Sequence, residues 1–277
     1  MTVDVDLIVN CYERTYRRVL APGFFDAVAQ QNSLSARRHA LINNVDTRAD
    51  AERRAKELLS SGEIDSFAFV SDVIERARRL TGVPRHALRR RPYFLDYGLA
   101  MTVTGSAPWI LGWDAEVVLD MRTNWVAASI ELMERRPELF SASPNWHDRG
   151  SYEGTLLRES FARDGPFFLN WGFSDQVFLV RRADLARPIY RRFAPASLAR
   201  HAGHPWTFEN RVESYQRAVR RPRATLGDVT YTHPHMDEVV TRLGGRHGLE
   251  RHEYLFLRGL RRALIHWPTD SPRWKIR

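Results

Sequence analysis

Two carboxylates, Asp114 and Glu116, stand one residue apart just beyond the apolar run Trp109–Leu111. On a tight turn at a strand end, both can reach one divalent cation. A hard ion such as Mg2+ or Mn2+ takes oxygen ligands and bridges phosphates. An acidic pair alone also describes many ordinary loops, so its weight depends on what accompanies it. Tyr12-Glu13-Arg14 follows the first apolar run of the chain, and Asn44 and Asp46 follow the second. Arg14 can meet a phosphate, and Asn44 and Asp46 can hydrogen-bond a ribose or a base edge. The same two residues also suit a turn that caps a helix. His233-Pro234-His235 closes a late strand-like run, and His is a ligand for Mn2+-like ions. Glu209, in Trp206–Arg211, can act as a general base on a hydroxyl. It reads equally as a first-turn carboxylate facing a helix dipole.

These residues need a scaffold that brings them together. Val5–Cys11 is short, β-branched and almost wholly apolar, as a strand buried on both faces should be. Tyr16–Gln30 has helical spacing broken at Pro22-Gly23. His39–Asn43 reads as a strand, Arg48–Ser60 as a helix, Ser66–Val70 as a strand and Val73–Leu80 as a helix. Tyr93–Thr104 reads as a helix, with Leu95, Leu99 and Val103 on one stripe. Trp109–Leu111 is then a strand and Val126–Arg135 a helix. This alternation predicts an α/β unit with a mainly parallel sheet flanked by helices. Ligands of such sheets bind at the carboxyl ends of the strands. The second half is less regular. Phe167–Phe173, Val177–Val180 and Ala224–Thr232 read as strands, and Asp184–Phe193, Phe208–Val219 and Glu250–Ile265 as helices. With no repeat or long linker, residues 1–277 are expected to form one domain with two lobes.

Composition narrows the classes. Hydrophobic residues make up 43 % of 277, enough for a substantial core. The formal charge is +9, carried by Arg almost alone, since Lys56 and Lys275 are the only lysines. The clusters Arg89–Arg91, Arg220–Arg223 and Arg258–Arg262 are short. No long basic run or recognisable module points to nucleic acid, so none is expected as a partner. A single cysteine, Cys11, fits a reducing, cytoplasmic compartment. No apolar run approaches the length of a membrane span. Glu250–Ile265, rich in Arg and aromatics, reads as a helix packed on the domain or, alternatively, as a peripheral membrane contact.

Taken together, these motifs resemble the GT-A glycosyltransferases, especially the inverting family 2 type. Val5–Arg14 looks like that family's opening strand and Tyr-Glu-Arg turn. His39–Arg48 looks like the second strand and the loop that holds the nucleoside. Asp114-Ala115-Glu116 stands in the place of the Asp-x-Asp motif, and Phe208-Glu209-Asn210 in that of the acidic pair opening the acceptor-side helix. The resemblance implies a Rossmann-like GT-A sheet with a smaller mixed acceptor-side lobe. Residues 1–120 would bind the nucleotide sugar, 121–245 the acceptor, and 246–277 would be a C-terminal helical extension. It implies a metal-dependent transferase moving a sugar from a nucleoside-diphosphate donor, a UDP-sugar, to a hydroxyl acceptor. Asp114, Glu116 and His233 would hold Mn2+ or Mg2+. Tyr12, Glu13, Arg14, Asn44, Asp46 and Trp113 would line the donor, with Trp171 and Trp206 as further aromatic walls. The catalytic base would come from Glu209, Asp175 or Glu213. Two other classes compete. A nucleotidyltransferase of related fold usually carries a Gly-rich loop after its first strand, and Tyr12–Tyr16 has no Gly. A basic nucleic-acid-binding protein would draw on the +9 charge alone.

Overall fold

The computed structural model describes residues 4–84, 92–146, 156–157, 159–199 and 207–234. One ten-stranded sheet runs through the molecule. Its strands are β1 (Val5–Cys11), β2 (Arg37–Ile42), β3 (Ser66–Phe69), β4 (Trp109–Asp114), β5 (Val118–Leu119), β6 (Ser141–Trp146), β7 (Ser160–Asp164), β8 (Phe167–Asn170), β9 (Val177–Arg181) and β10 (Arg223–Thr232). The order across the sheet is β3-β2-β1-β4-β9-β6-β10-β8-β7, with β5 paired to β10.

The sheet has two characters. β3, β2, β1 and β4 are all parallel. Beyond β4 the pairing becomes mixed. β9 runs antiparallel to β4 and β6, β10 is parallel to β6, and β8 and β7 return antiparallel. The first half is thus a parallel α/β unit and the second a mixed lobe, as expected from the alternating and then irregular sequence pattern.

The helices are α1 (Tyr16–Val19), α2 (Phe24–Gln31), α3 (Arg48–Ser61), α4 (Val70–Thr81), α5 (Pro92–Met101), α6 (Trp125–Arg135), α7 (Arg182–Leu185) and α8 (Phe208–Val219). Strand alternation sorts the core into two layers. Leu7, Val9 and Cys11 of β1 pack with Leu111, Trp113 and residues of α2, α3 and α6 on one face. Ile8 packs with Ile110, Phe178, Leu99, Phe208 and Val212 on the other, under α4, α5 and α8. Thr207 caps α8 by accepting from the Asn210 amide at 3.1 Å.

Among the elements that differ from the sequence expectation, two have a clear physical reason. β6, with the sequence Ser-Ala-Ser-Pro-Asn-Trp, carries no apolar run, yet it lies buried between β9 and β10. Its small residues fit the crowded sheet centre. Its Pro144 falls where β9 has already left the pairing and just before the irregularity in β10 between Leu226 and Thr230, the kind of position that tolerates a missing N–H. The helix expected over 184–193 is only α7 followed by a 3-10 turn at Ile189–Arg191, because Pro188 cannot continue it. Glu250–Ile265 and the Arg89–Arg91 and Arg258–Arg262 clusters lie outside the described residues. No helix among the described residues is long and apolar enough to cross a membrane.

Candidate functional site

Asp114 is the last residue of β4. Its amide donates to the Gln176 carbonyl at 2.7 Å, so the loop preceding β9 fixes where β4 ends. The Glu116 amide donates to Asp114 Oδ1 at 2.8 Å. That local turn places both carboxylates at the carboxyl edge of the sheet. The Arg18 guanidinium donates to the Ala115 carbonyl between them. β10 runs to the same edge and delivers His233, whose Nε2 lies 3.4 Å from Asp114 Oδ1. One ligand atom from each of Asp114, Glu116 and His233 lies within 4.8 Å of the others. Asp114 and Glu116 are half-buried, and His233 is buried.

This donor set suits a divalent cation. Two anionic oxygens and one imidazole nitrogen match the preferences of Mn2+, and of Mg2+ through the oxygens. Burial opposes a charged imidazole. The bond to Asp114 and the negative charges of Asp114 and Glu116 outweigh that and hold the His233 pKa above its ordinary value. The cluster therefore attracts positive charge. Tyr12 adds an orienting contact, its phenol donating to Glu116 Oε2 at 3.4 Å.

The loops after β1 and β2 join each other at this edge. Glu13 Oε2 accepts from the Asp46 amide at 2.8 Å, and the Asn43 amide donates to the Cys11 carbonyl at 2.8 Å. Asn44 is exposed and takes a left-handed backbone, φ 46°. Arg14 and Asp46, on the same two loops, are also exposed. The sequence reading placed these residues around a donor, and the fold sets them on neighbouring loops.

The other expected residues fall into two groups. Asp175 is half-buried in the loop before β9 and accepts from the Tyr97 phenol at 2.5 Å. Glu209 is half-buried in the first turn of α8. The Tyr97 phenol is held well above its usual pKa, first by burial, then by Asp175, and further by the charges of Glu209 and Asp114. Asp175 contacts this hydroxyl directly, while Glu209 and Asp114 influence it only through their charge. Glu213 is different. It is fully buried and receives Arg217 Nε and Nη2, both at 2.8 Å. The structure thus sets this expected base in a water-excluded ion pair, apart from Asp175 and Glu209. Trp113 is set apart too. It is 1 % exposed within the core and presents no wall to a ligand. Trp171 is 9 % exposed, packed at a tilt on Phe161 with centroids 5.4 Å apart and near Arg217. Trp206 and His235 lie outside the described residues.

Tyr97, Gln176 and Tyr231 were not visible as site residues in the sequence. Tyr97 lies off the Leu95–Leu99–Val103 stripe. Gln176 contributes through its backbone carbonyl, and Tyr231 reads as an ordinary strand residue.

No protein-family model matches this sequence, and no curated protein matches it either. Solved structures resemble the chain path. A mannosyltransferase from Pyrobaculum calidifontis, solved with GDP-Man and Mn2+, is 14 % identical with a TM-score of 0.45, over 84 % of this chain and 57 % of that one. GalNAc-T7, solved with UDP, GalNAc and Mn2+, is 10 % identical with a TM-score of 0.47, over 84 % and 44 %. Glucosyl-3-phosphoglycerate synthase from Mycobacterium tuberculosis, solved with Mn2+, UDP-Glc and phosphoglyceric acid, is 12 % identical with a TM-score of 0.41, over 94 % and 80 %. The chain thus spans about half the length of the first two proteins. What this site can do has to come from its own residues.

Proposed function

We propose that the chain is a metal-dependent glycosyltransferase that moves a sugar from a nucleoside-diphosphate donor, a UDP-sugar, to a hydroxyl acceptor. The observation that carries this reading is the meeting of Asp114, Glu116 and His233 at the carboxyl edge of a parallel α/β unit. In that place a bound Mn2+ or Mg2+ would neutralise charge developing on a leaving diphosphate.

Each part of the chain has a task in this reading. Residues 1–120 form the donor half, where the Glu13–Asp46 loop pair and Asn44 face the nucleoside. Arg14 is exposed at the same edge and meets phosphate. Residues 121–245 form the acceptor half. There Asp175 or Glu209 takes the proton of the acceptor hydroxyl. The hydroxyl oxygen bonds to the anomeric carbon, and the sugar–phosphate bond breaks with its electron pair left on the diphosphate.

Thermal melting with UDP, GDP and ADP, each with and without Mn2+, tests the reading. Specific binding raises the melting temperature by mass action. At least one nucleotide should stabilise the protein only when Mn2+ is present, and Asp114→Asn should abolish that shift. No Mn2+-dependent shift with any of them would falsify the assignment. A hydrolysis screen over UDP- and GDP-sugars then identifies the donor.

A further inference from the structure

We propose that Tyr97 is a positioning residue that aims Asp175, as the base, at the acceptor hydroxyl. This rests on the glycosyl-transfer reading above and deepens it.

Asp175 is held by one direct bond and through both of its neighbours in sequence. The Tyr97 phenol donates to its Oδ2 at 2.5 Å. On one side of it in sequence, Gln176 accepts the Tyr231 phenol at 2.9 Å through Oε1, and through its carbonyl accepts the Asp114 amide. On the other side, Ser174 Oγ lies 3.1 Å from the same Tyr231 oxygen. Tyr231 spends its one proton on Gln176, so Ser174 is the donor in that contact. The loop carrying Asp175 is thereby tied to β4, whose end holds Asp114, and to β10, whose end leads to His233.

Packing sets the position of Tyr97 itself. A Cβ on Gly98 would come within 2.4 Å of the Phe208 ring, so only glycine lets α5 approach α8 this closely. The Tyr97 ring meets Phe208 edge-on, with centroids 5.6 Å apart. Phe208 in turn packs on Phe173 and Phe178 at 5.3 and 5.9 Å. The phenol is therefore a rigid donor mounted on the junction of two helices. With its pKa raised, it stays protonated and donates across the working pH range. A carboxylate whose rotation is fixed in this way holds its other oxygen, Oδ1, in one direction.

Tyr97→Phe tests this while keeping the ring. Three readouts are compared with wild type: melting temperature, Mn2+-dependent binding of UDP, and Mn2+-dependent hydrolysis of the sugar nucleotide that wild type cleaves fastest from a panel of UDP- and GDP-sugars. The expected result is unchanged UDP binding and donor KM with kcat lowered about 10- to 100-fold. Asp175→Asn should lower kcat at least as far, and the double variant should be no worse than Asp175→Asn alone, because Tyr97 acts through Asp175. A merely structural role would lower the melting temperature and multiply the losses. Undiminished kcat in Tyr97→Phe, or multiplicative losses, would overturn the Tyr97 assignment and leave the metal reading standing. If wild type neither binds UDP with Mn2+ nor cleaves any donor, the site reading itself fails and takes this proposal with it.

Discussion

Two aspartates on one face of the sheet have opposite surroundings. In parallel register Asp6 pairs with Ile110 and Asn10 with Asp114. Residues four apart in a strand share a face, so Asp6 and Asp114 point the same way, separated by about 13 Å along the strands. At the amino edge Asp6 is fully buried. It accepts from Arg37 Nε at 2.9 Å, Arg182 Nη2 at 2.6 Å and the Ala107 amide at 2.7 Å, and its Oδ1 lies 3.0 Å from His39 Nε2. At the carboxyl edge Asp114 is half-buried. Among the described residues it accepts one backbone amide and meets one histidine at 3.4 Å. A buried carboxylate surrounded by donors is finished as structure. A carboxylate crowded by Glu116 and short of donors has capacity for a ligand. The same residue type in the same layer is spent on stability at one end and, on the proposed function, kept for binding at the other.

Exchanging the two losses should break this comparison most sharply. Asp6→Asn leaves Arg37 and Arg182 without their shared countercharge. Removing one partner of a buried ionic cluster is expected to lower unfolding free energy by roughly 3–5 kcal/mol, read by urea denaturation. Asp114→Asn should leave stability within about 0.5 kcal/mol and weaken Mn2+ binding on the order of 100-fold or more, read by calorimetry. Equal damage to stability from both changes would erase the distinction.

The amino edge can also be disturbed without touching a charge. Gly105 has φ +71°, and a Cβ there would lie 2.2 Å from Asp6 Oδ2. Gly105→Ala must therefore strain the backbone and displace the network. A loss of roughly 2–4 kcal/mol is expected, with Mn2+-dependent nucleotide binding retained in the folded fraction.

Acid should act on the same end. Burial raises the Asp6 pKa, but the His39 bond, the Ala107 amide and the charges of His39 and Arg182 prevail and lower it from 3.8 to about 2. The folded value is the depressed one, so this stabilisation is complete above pH 3.8 and is lost as pH falls from there towards 2. The shift corresponds to about 2 kcal/mol. Denaturation midpoints between pH 5 and 2 should fall more in wild type than in Asp6→Asn, which has already lost it.

The two ends were not equally legible in the sequence. The parallel half could be read because each strand is an apolar run and each helix repeats on a helical period, and runs of this kind follow directly from burial. From that order alone Asp114, Glu116, Asn44 and Asp46 could be placed at one edge. His233 was added from its place after a late strand-like run and from the family resemblance, and only the topology shows that its strand ends at the same edge. β6 was hidden because its burial is achieved with Ser, Ala and Pro, which carry no hydrophobic signal. Asp6 gave no sign of its role, since its donors come from positions 37, 39, 107 and 182, and only the topology gathers them. Glu213 and Trp113 illustrate the converse. Their types suit a site, but helix phase turns Glu213 to Arg217, and strand alternation turns Trp113 into the opposite core layer from Asp114.

The smallest expected effect concerns Tyr12. Its phenol reaches Glu116 Oε2 at 3.4 Å, near the long limit of a hydrogen bond. A group that orients a ligand through so long a bond contributes little while the site is empty. It matters only when the carboxylate must hold one rotamer against a cation. Tyr12→Phe should therefore leave melting unchanged without metal and weaken Mn2+-dependent UDP binding only about threefold, less than 1 kcal/mol. Glu116→Gln should lose more, because it removes a charged oxygen rather than its guide. If Tyr12→Phe instead matched Glu116→Gln, the phenol would be contacting the ligand directly. The binding edge would then extend from the end of β4 across to the loop after β1.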